Sequence, residues 1–231
     1  MVEFVGRAGV GKSTIARQLV ATLRGRGIEA RSVSGQEVPL WGRVAMPDAL
    51  RASRIVRALE LPWTWSYVHR SLSLYKEFVK LRYAHRRPGL TVLDQGWLQK
   101  IEPMKLMHTP DERRRIALRR AMADGPFADL VVAVLASPEA LTRRRIASRR
   151  ADTTLELEVV ARRVTTDATI EDVRALQAEG RARAVRLEVV ANEVPGDVEL
   201  VTEELALVVE KLLDASRFRA SMNAAAPRSG G

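Results

Sequence analysis

The segment Gly6-Arg7-Ala8-Gly9-Val10-Gly11-Lys12-Ser13 meets the pattern GxxxxGK[ST] at every specified position, and Thr14 extends it. It stands between the apolar run Val2–Val5, read as a short strand, and a helical pattern that puts Ile15, Ala16, Leu19, Val20 and Leu23 on one face. That setting matters because the pattern works through backbone geometry. Glycines let successive N–H groups turn inward on phosphate oxygens, the amino end of the next helix adds partial positive charge, and Lys12 reaches the terminal phosphates. Ser13 supplies a hydroxyl ligand to magnesium. The plain alternative is a glycine-rich turn with a chance lysine, which a strand before and a helix after make rarer. Residues 6–14 are therefore expected to hold the triphosphate of ATP or GTP together with magnesium.

The rest of the chain alternates strand and helix signals. Gly25 and Gly27 stop the first helix, and Ala30–Ser34 reads as a second strand. Residues 35–47, punctuated by Gly and Pro, read as a functional loop. Helices over 49–60 and 66–85 form a helical flap. Pro88-Gly89 breaks the second of them before the strand Leu90–Leu93, which leaves Asp94 at a strand's carboxyl end. After a helix over 111–123 and an Asp-Gly-Pro turn comes Leu130–Leu135, whose continuous hydrophobicity predicts burial on both faces.

Ser137-Pro138-Glu139 provides an N-cap, a first-turn proline and an acid for a helix running to about Arg150. More helix covers much of 155–179. A last strand follows over 185–190, Asp197 caps a final helix toward Leu213, and 215–231 reads as a disordered tail. Strands separated by helices predict an α/β fold, a five-stranded parallel sheet flanked by helices in one domain over 1–214. Ligands in such sheets sit beyond the carboxyl ends of the strands, where both Gly6 and Asp94 lie.

Composition removes several function classes. The 231 residues suit one large domain, and 46% apolar content supports a packed core. With no cysteine, thiolate metal sites and disulfide scaffolds are excluded, so any metal must sit on oxygen. No apolar run approaches the roughly 20 residues of a membrane-spanning helix, and Met1 leads almost at once into Val2, Phe4 and Val5 without a signal-peptide core. A cytoplasmic protein with no membrane partner is expected. The net charge of +10 comes from basic residues scattered along the whole chain, a compositional bias more than one patch, so nucleic acid is discounted as a partner.

With these residues in view, the chain resembles the P-loop kinases of nucleosides and nucleoside monophosphates, including thymidylate kinases and deoxynucleoside kinases, over most of its length. Besides the phosphate loop, the resemblance rests on Asp94-Gln95-Gly96, similar to the acid-Arg pair those families carry after the third strand. It implies a three-layer P-loop NTPase fold, ATP and Mg2+ as cofactors, and Asp94 as a magnesium ligand, direct or through water. The other reading of Asp94 is an ordinary capping or turn aspartate. Gln95 stands where those kinases have an arginine that helps hold the acceptor.

Leu135 to Glu139 followed by the arginine-rich 143–150 is similar to the strand, helix and lid of the same kinases, with a lid expected over about 143–155. The resemblance implies that Arg145, Arg149 and Arg150 close over the phosphates, with Arg144 or Arg145 in register for the first of them. Guanidinium groups in a dehydrated site stabilise the spread charge of a transferring phosphoryl group. A solvated basic helix face is the other reading. Glu37-Val38-Pro39-Leu40-Trp41 is reminiscent of the Glu-Pro-Val and Trp element of deoxynucleoside kinases, which implies Glu37 as the base that accepts a hydroxyl proton. An exposed loop acid is equally compatible. An acceptor region is expected over about 36–87, with Trp41, Arg43, Tyr67 and Tyr75 as candidate lining or as core.

The base of the nucleotide is expected near 192–197, where a Pro-Gly turn is the plain alternative. The resulting expectation is an ATP-dependent phosphotransferase acting on a nucleoside, nucleotide or similar small acceptor, with a homodimer allowed by the resemblance. The competing class is a P-loop ATPase or GTPase switch acting on a protein partner. Its marks, Asn-Lys-x-Asp for guanine and Asp-x-x-Gly after Asp94, are missing.

Overall fold

The computed structural model describes residues 1–6, 9–33, 46–58, 65–101, 112–147, 155–180, 185–194 and 196–225. Five strands make one sheet: β1 (Val2–Gly6), β2 (Ala30–Ser32), β3 (Leu90–Leu93), β4 (Leu130–Leu135) and β5 (Arg186–Ala191). Their spatial order is β2-β3-β1-β4-β5, and every pair is parallel. Parallel neighbours cannot be joined by tight turns, so helices fill the connections. These are α1 (Lys12–Gly25), α2 (Met46–Ala58), α3 (Trp65–His85), a helical segment α4 over 97–101, α5 (Glu112–Ala123), α6 (Pro138–Ala147), α7 (Leu155–Ala178) and α8 (Asp197–Ala225).

Strand alternation sorts the core into two layers. Val2 and Phe4 of β1, with Val132 and Val134 of β4, pack against Ile15 and Leu19 of α1 and Leu205 and Val209 of α8. On the other side Val5, Val131 and Ala133 meet Phe78 and Leu81 of α3, Met122 of α5 and Val173 of α7. Burying each such large aliphatic or aromatic side chain stabilises by about 1.5–3 kcal/mol. The result is the expected three-layer P-loop NTPase fold. Asp48, buried in the first turn of α2, ties α2 to α3 by accepting from Arg82 Nη2 at 2.9 Å. Among the described residues no helix is long and apolar enough to cross a membrane.

Two expectations differ from the structure at the carboxyl-terminal end. The last helix does not stop near Leu213 but continues to Ala225, so 215–225 is helix and not an irregular tail. No Gly or Pro interrupts 214–226, and alanines there favour helix. Asp197 begins α8, yet its carboxylate turns back to accept the N–H groups of Glu193 at 2.7 Å and Val194 at 2.8 Å. It fastens the preceding turn instead of capping the helix it opens. Ser137 does cap: its Oγ accepts the Ala140 N–H at 3.2 Å.

Candidate functional site

The sheet places the carboxyl ends of β1 and β3 side by side, the strands from which the chain runs into α1 and into Asp94. Pairing between them ends at Glu3↔Leu93, whereas β1 stays paired with β4 as far as Gly6↔Val134. Beyond Leu93 the chain is no longer paired with β1 and runs through Asp94 into α4. The Gly6 N–H, left without a β3 partner, donates to Gln99 Oε1 at 2.9 Å. Gln99 is held there by α4, whose Trp97 is fully buried edge-on against Phe78 and Phe127, with ring centroids at 5.5 and 5.2 Å.

Gly6 and Gly11 carry the turn. A Cβ at Gly6 would strike the Val134 carbonyl, and one at Gly11 would lie 2.5 Å from Asn192 Nδ2, while the φ values of 143° and 92° are strained for side-chain residues. Gly11 accepts from the Thr14 and Ile15 N–H groups, both at 3.0 Å, and so opens α1. The helix start has no side-chain cap and no acid in its first turn. Among the described residues no side-chain cap meets its first N–H groups, an arrangement that favours an anion. Lys12 lies beside them, only 7% exposed, its Nζ donating to the Gly6 carbonyl at 2.6 Å.

Ser13 Oγ donates to Asp94 Oδ2 at 3.0 Å, across 81 positions of sequence. A hydroxyl and a carboxylate oxygen thus stand together next to the loop, a donor set that fits a hard cation such as magnesium. Among the described residues there is no cluster of three or more His, Cys, Asp or Glu able to hold a metal. Such an ion would therefore depend on water or phosphate oxygens for its remaining ligands.

The far side of the loop is held by Asn192 and Arg144. Asn192, 1% exposed after β5, donates through Nδ2 to the Val10 carbonyl at 2.7 Å. Arg144 of α6 donates to the Asn192 carbonyl at 2.8 Å, to Asn192 Oδ1 at 3.0 Å and to the Val10 carbonyl at 3.3 Å. Hydrogen bonding from Ser137 holds the Glu193 carboxyl below its ordinary range, helped by the nearby Arg144 charge, and backbone N–H groups of Val194 and Glu193 do the same for Asp197.

Glu3 of β1 is fully buried. Its Oε1 accepts the Leu98 N–H at 3.0 Å, and its Oε2 has no partner among the described residues. The carboxyl occupies the space that a side chain at position 96 would need, which accounts for Gly96. Burial pushes its pKa from 4.5 up to about 8; the Leu98 N–H opposes this, Glu77 adds to it and Lys80 opposes it. A protonated carboxyl, able to donate from Oε2, is the form compatible with this site at neutral pH.

Of the residues expected from sequence, the structure brings Gly6, Gly9, Val10, Gly11, Lys12, Ser13, Thr14 and Asp94 to one end of the sheet. Arg7, Ala8, Glu37, Arg149, Arg150, Trp41 and Arg43 lie outside the described residues, and Arg145 is described only as part of the backbone of α6. Arg144, the other residue of that register, donates to the Val10 carbonyl of the loop. Tyr67 and Tyr75 belong to the core around α2 and α3, with Tyr67 OH 2.6 Å from Ser53 Oγ.

No known family pattern and no curated protein sequence matches the chain. Its structure is similar to that of thymidylate kinase from Candida albicans, with a TM-score of 0.50 covering 91% of this chain and 90% of that one at 12% identity. At that identity the likeness is one of fold, and the fold is P-loop kinase-like.

Proposed function

We propose that this protein is a phosphotransferase that moves the terminal phosphoryl group of ATP, bound with Mg2+, to a nucleoside, nucleotide or similar small acceptor. The observation that carries the reading is the 3.0 Å approach of Ser13 Oγ to Asp94 Oδ2 beside Lys12 and the uncapped start of α1. Two oxygen ligands for a cation stand beside a polyphosphate cradle, which is what transfer of a terminal phosphoryl group requires. In this reading residues 6–14 bind the triphosphate, and Ser13 and Asp94 hold the magnesium. When bound, that ion neutralises charge on the phosphate oxygens.

Lys12 stabilises charge on the terminal phosphates, and Arg145, Arg149 and Arg150 belong to a lid over about 143–155 that closes on them. Arg144 and the segment after β5 border the base. The acceptor occupies the region over about 36–87. A homodimer and a cytoplasmic location complete the proposal.

The test is ADP release measured over a panel of nucleosides, nucleoside monophosphates and other small phosphate acceptors. One acceptor class is expected to raise turnover well above the basal rate. Binding of ATP with no stimulation by any acceptor would overturn the phosphotransferase reading in favour of an ATPase module driven by a protein partner.

Glu37 separates acceptor classes. A hydroxyl acceptor must lose a proton during attack, whereas a phosphate acceptor is already ionised, and a positioned base typically contributes about 10²–10⁴-fold. Glu37→Gln is expected to slow transfer to a hydroxyl about 100-fold or more and leave transfer to a phosphate nearly unchanged. Equal rate losses for both acceptor types would exclude Glu37 as the base.

A further inference from the structure

We infer that Asn192 is a positioning residue that sets the orientation of the Val10–Gly11 peptide and ties the phosphate loop to α6 through Arg144. The inference rests on the phosphate-binding reading of the loop. Asn192 is itself rigidly placed: its N–H donates to the Leu135 carbonyl at 2.9 Å, at the point where β4 and β5 part. Its side-chain amide is almost fully buried and has a donor and an acceptor to satisfy. Nδ2 meets the Val10 carbonyl at 2.7 Å and Oδ1 meets Arg144 Nη2 at 3.0 Å.

The consequence for the loop follows from peptide planarity. The described residues contain no cis peptide bond. In a trans peptide the C=O of Val10 and the N–H of Gly11 point in opposite directions. Holding the Val10 carbonyl toward Asn192 therefore aims the Gly11 N–H away from it, where a phosphate oxygen can be bound. Gly11 alone would not enforce this, because glycine allows the peptide on either side of it to rotate freely.

The same amide packs so tightly that a Cβ at Gly11 would come within 2.5 Å of Nδ2, so the glycine and the asparagine require one another. Arg144 adds a second donor to the Val10 carbonyl at 3.3 Å and grips the Asn192 carbonyl at 2.8 Å. The orientation of the loop peptide and the placement of α6, which leads into the arginine-rich 148–150, are thereby set together.

The experiment is calorimetric titration of the full chain with ATP and with inorganic triphosphate, both with Mg2+, alongside thermal unfolding without ligand. Asn192→Ala is expected to weaken both ligands by a similar factor of about ten, since one charge-assisted hydrogen bond is misdirected and base contacts are not. Arg144→Gln combined with Asn192→Ala removes both donors to the Val10 carbonyl and is expected to weaken inorganic triphosphate more than Asn192→Ala alone.

If the alanine variant does not fold, Asn192→Asp, equal in size, keeps the acceptor for Arg144 and removes the donor to Val10. It should lose at least as much affinity. A lower melting temperature with unchanged triphosphate affinity, or a double variant that binds triphosphate as well as the unaltered protein, would overturn the positioning role. Failure of the unaltered protein to bind ATP would instead overturn the nucleotide reading itself.

Discussion

Lys12→Ala is expected to lower phosphoryl transfer by a factor of at least about 10²–10³ and to weaken ATP binding. The reason is the position of the ammonium group. It is 7% exposed and bonded to the Gly6 carbonyl at 2.6 Å, so it is partly stripped of water and held along the loop, where its charge acts at low dielectric. No other lysine or arginine is shown at hydrogen-bond distance from Gly6 among the described residues. Alanine removes the charge while leaving the apolar faces of β1 and α1 intact, so circular dichroism should report a folded protein. Coupled ADP release with the best acceptor, together with ATP titration, checks the expectation. Near-normal turnover in the variant is incompatible with this loop as the reaction site.

The second large effect concerns stability and pH. Glu3 has an ordinary pKa of 4.5 in the unfolded chain and one of about 8 in the folded protein, because burial disfavours the charged form. Between those values the folded protein keeps a proton that the unfolded chain has released. The stability owed to this group is fully present below 4.5, falls as pH rises by about 1.4 kcal/mol per unit, and is lost once pH passes about 8. Glu193 and Asp197 act in the opposite sense, since their folded pKa values are lowered and their contribution disappears only in acid.

Glu3→Gln keeps the size and the acceptor for the Leu98 N–H but cannot ionise. Urea unfolding at pH 5.5, 6.5 and 7.5 should show the unaltered protein losing stability relative to the variant, by a few kcal/mol in all across that span. Parallel curves for the two proteins would mean that Glu3 does not hold its proton.

The glycine-rich loop between β1 and α1 was readable in the sequence because its pattern is local. Eight consecutive residues supply the glycines, the lysine and the hydroxyl, and the flanking periodicities announce the strand and helix that aim them. Asp94 was readable for a related reason, since an acid following a short apolar run ends at the carboxyl edge of the sheet. The residues that brace the loop left no such trace. Gln99 meets Gly6 across 93 positions, Leu98 meets Glu3 across 95, and Asn192 meets Val10 across 182. An asparagine after a strand reads as a turn residue, and a glutamine in a helix as a solvated one.

Gly96 illustrates the same limit. Beside Asp94 it reads as part of a turn, yet its reason is the Glu3 carboxyl that fills the place of its missing side chain.

Apolar runs, glycine spacing and the order of strands and helices sufficed for a three-layer parallel sheet with a glycine-rich loop at its carboxyl edge, since each of these acts over a few neighbouring residues. The companions of that loop emerged from folding alone. Peptide orientation at Val10, the bond to the Gly6 N–H and the buried carboxyl under Gly96 depend on groups from β1, α4, α6 and β5 meeting in space, and hydrogen bonds between distant segments obey no sequence period.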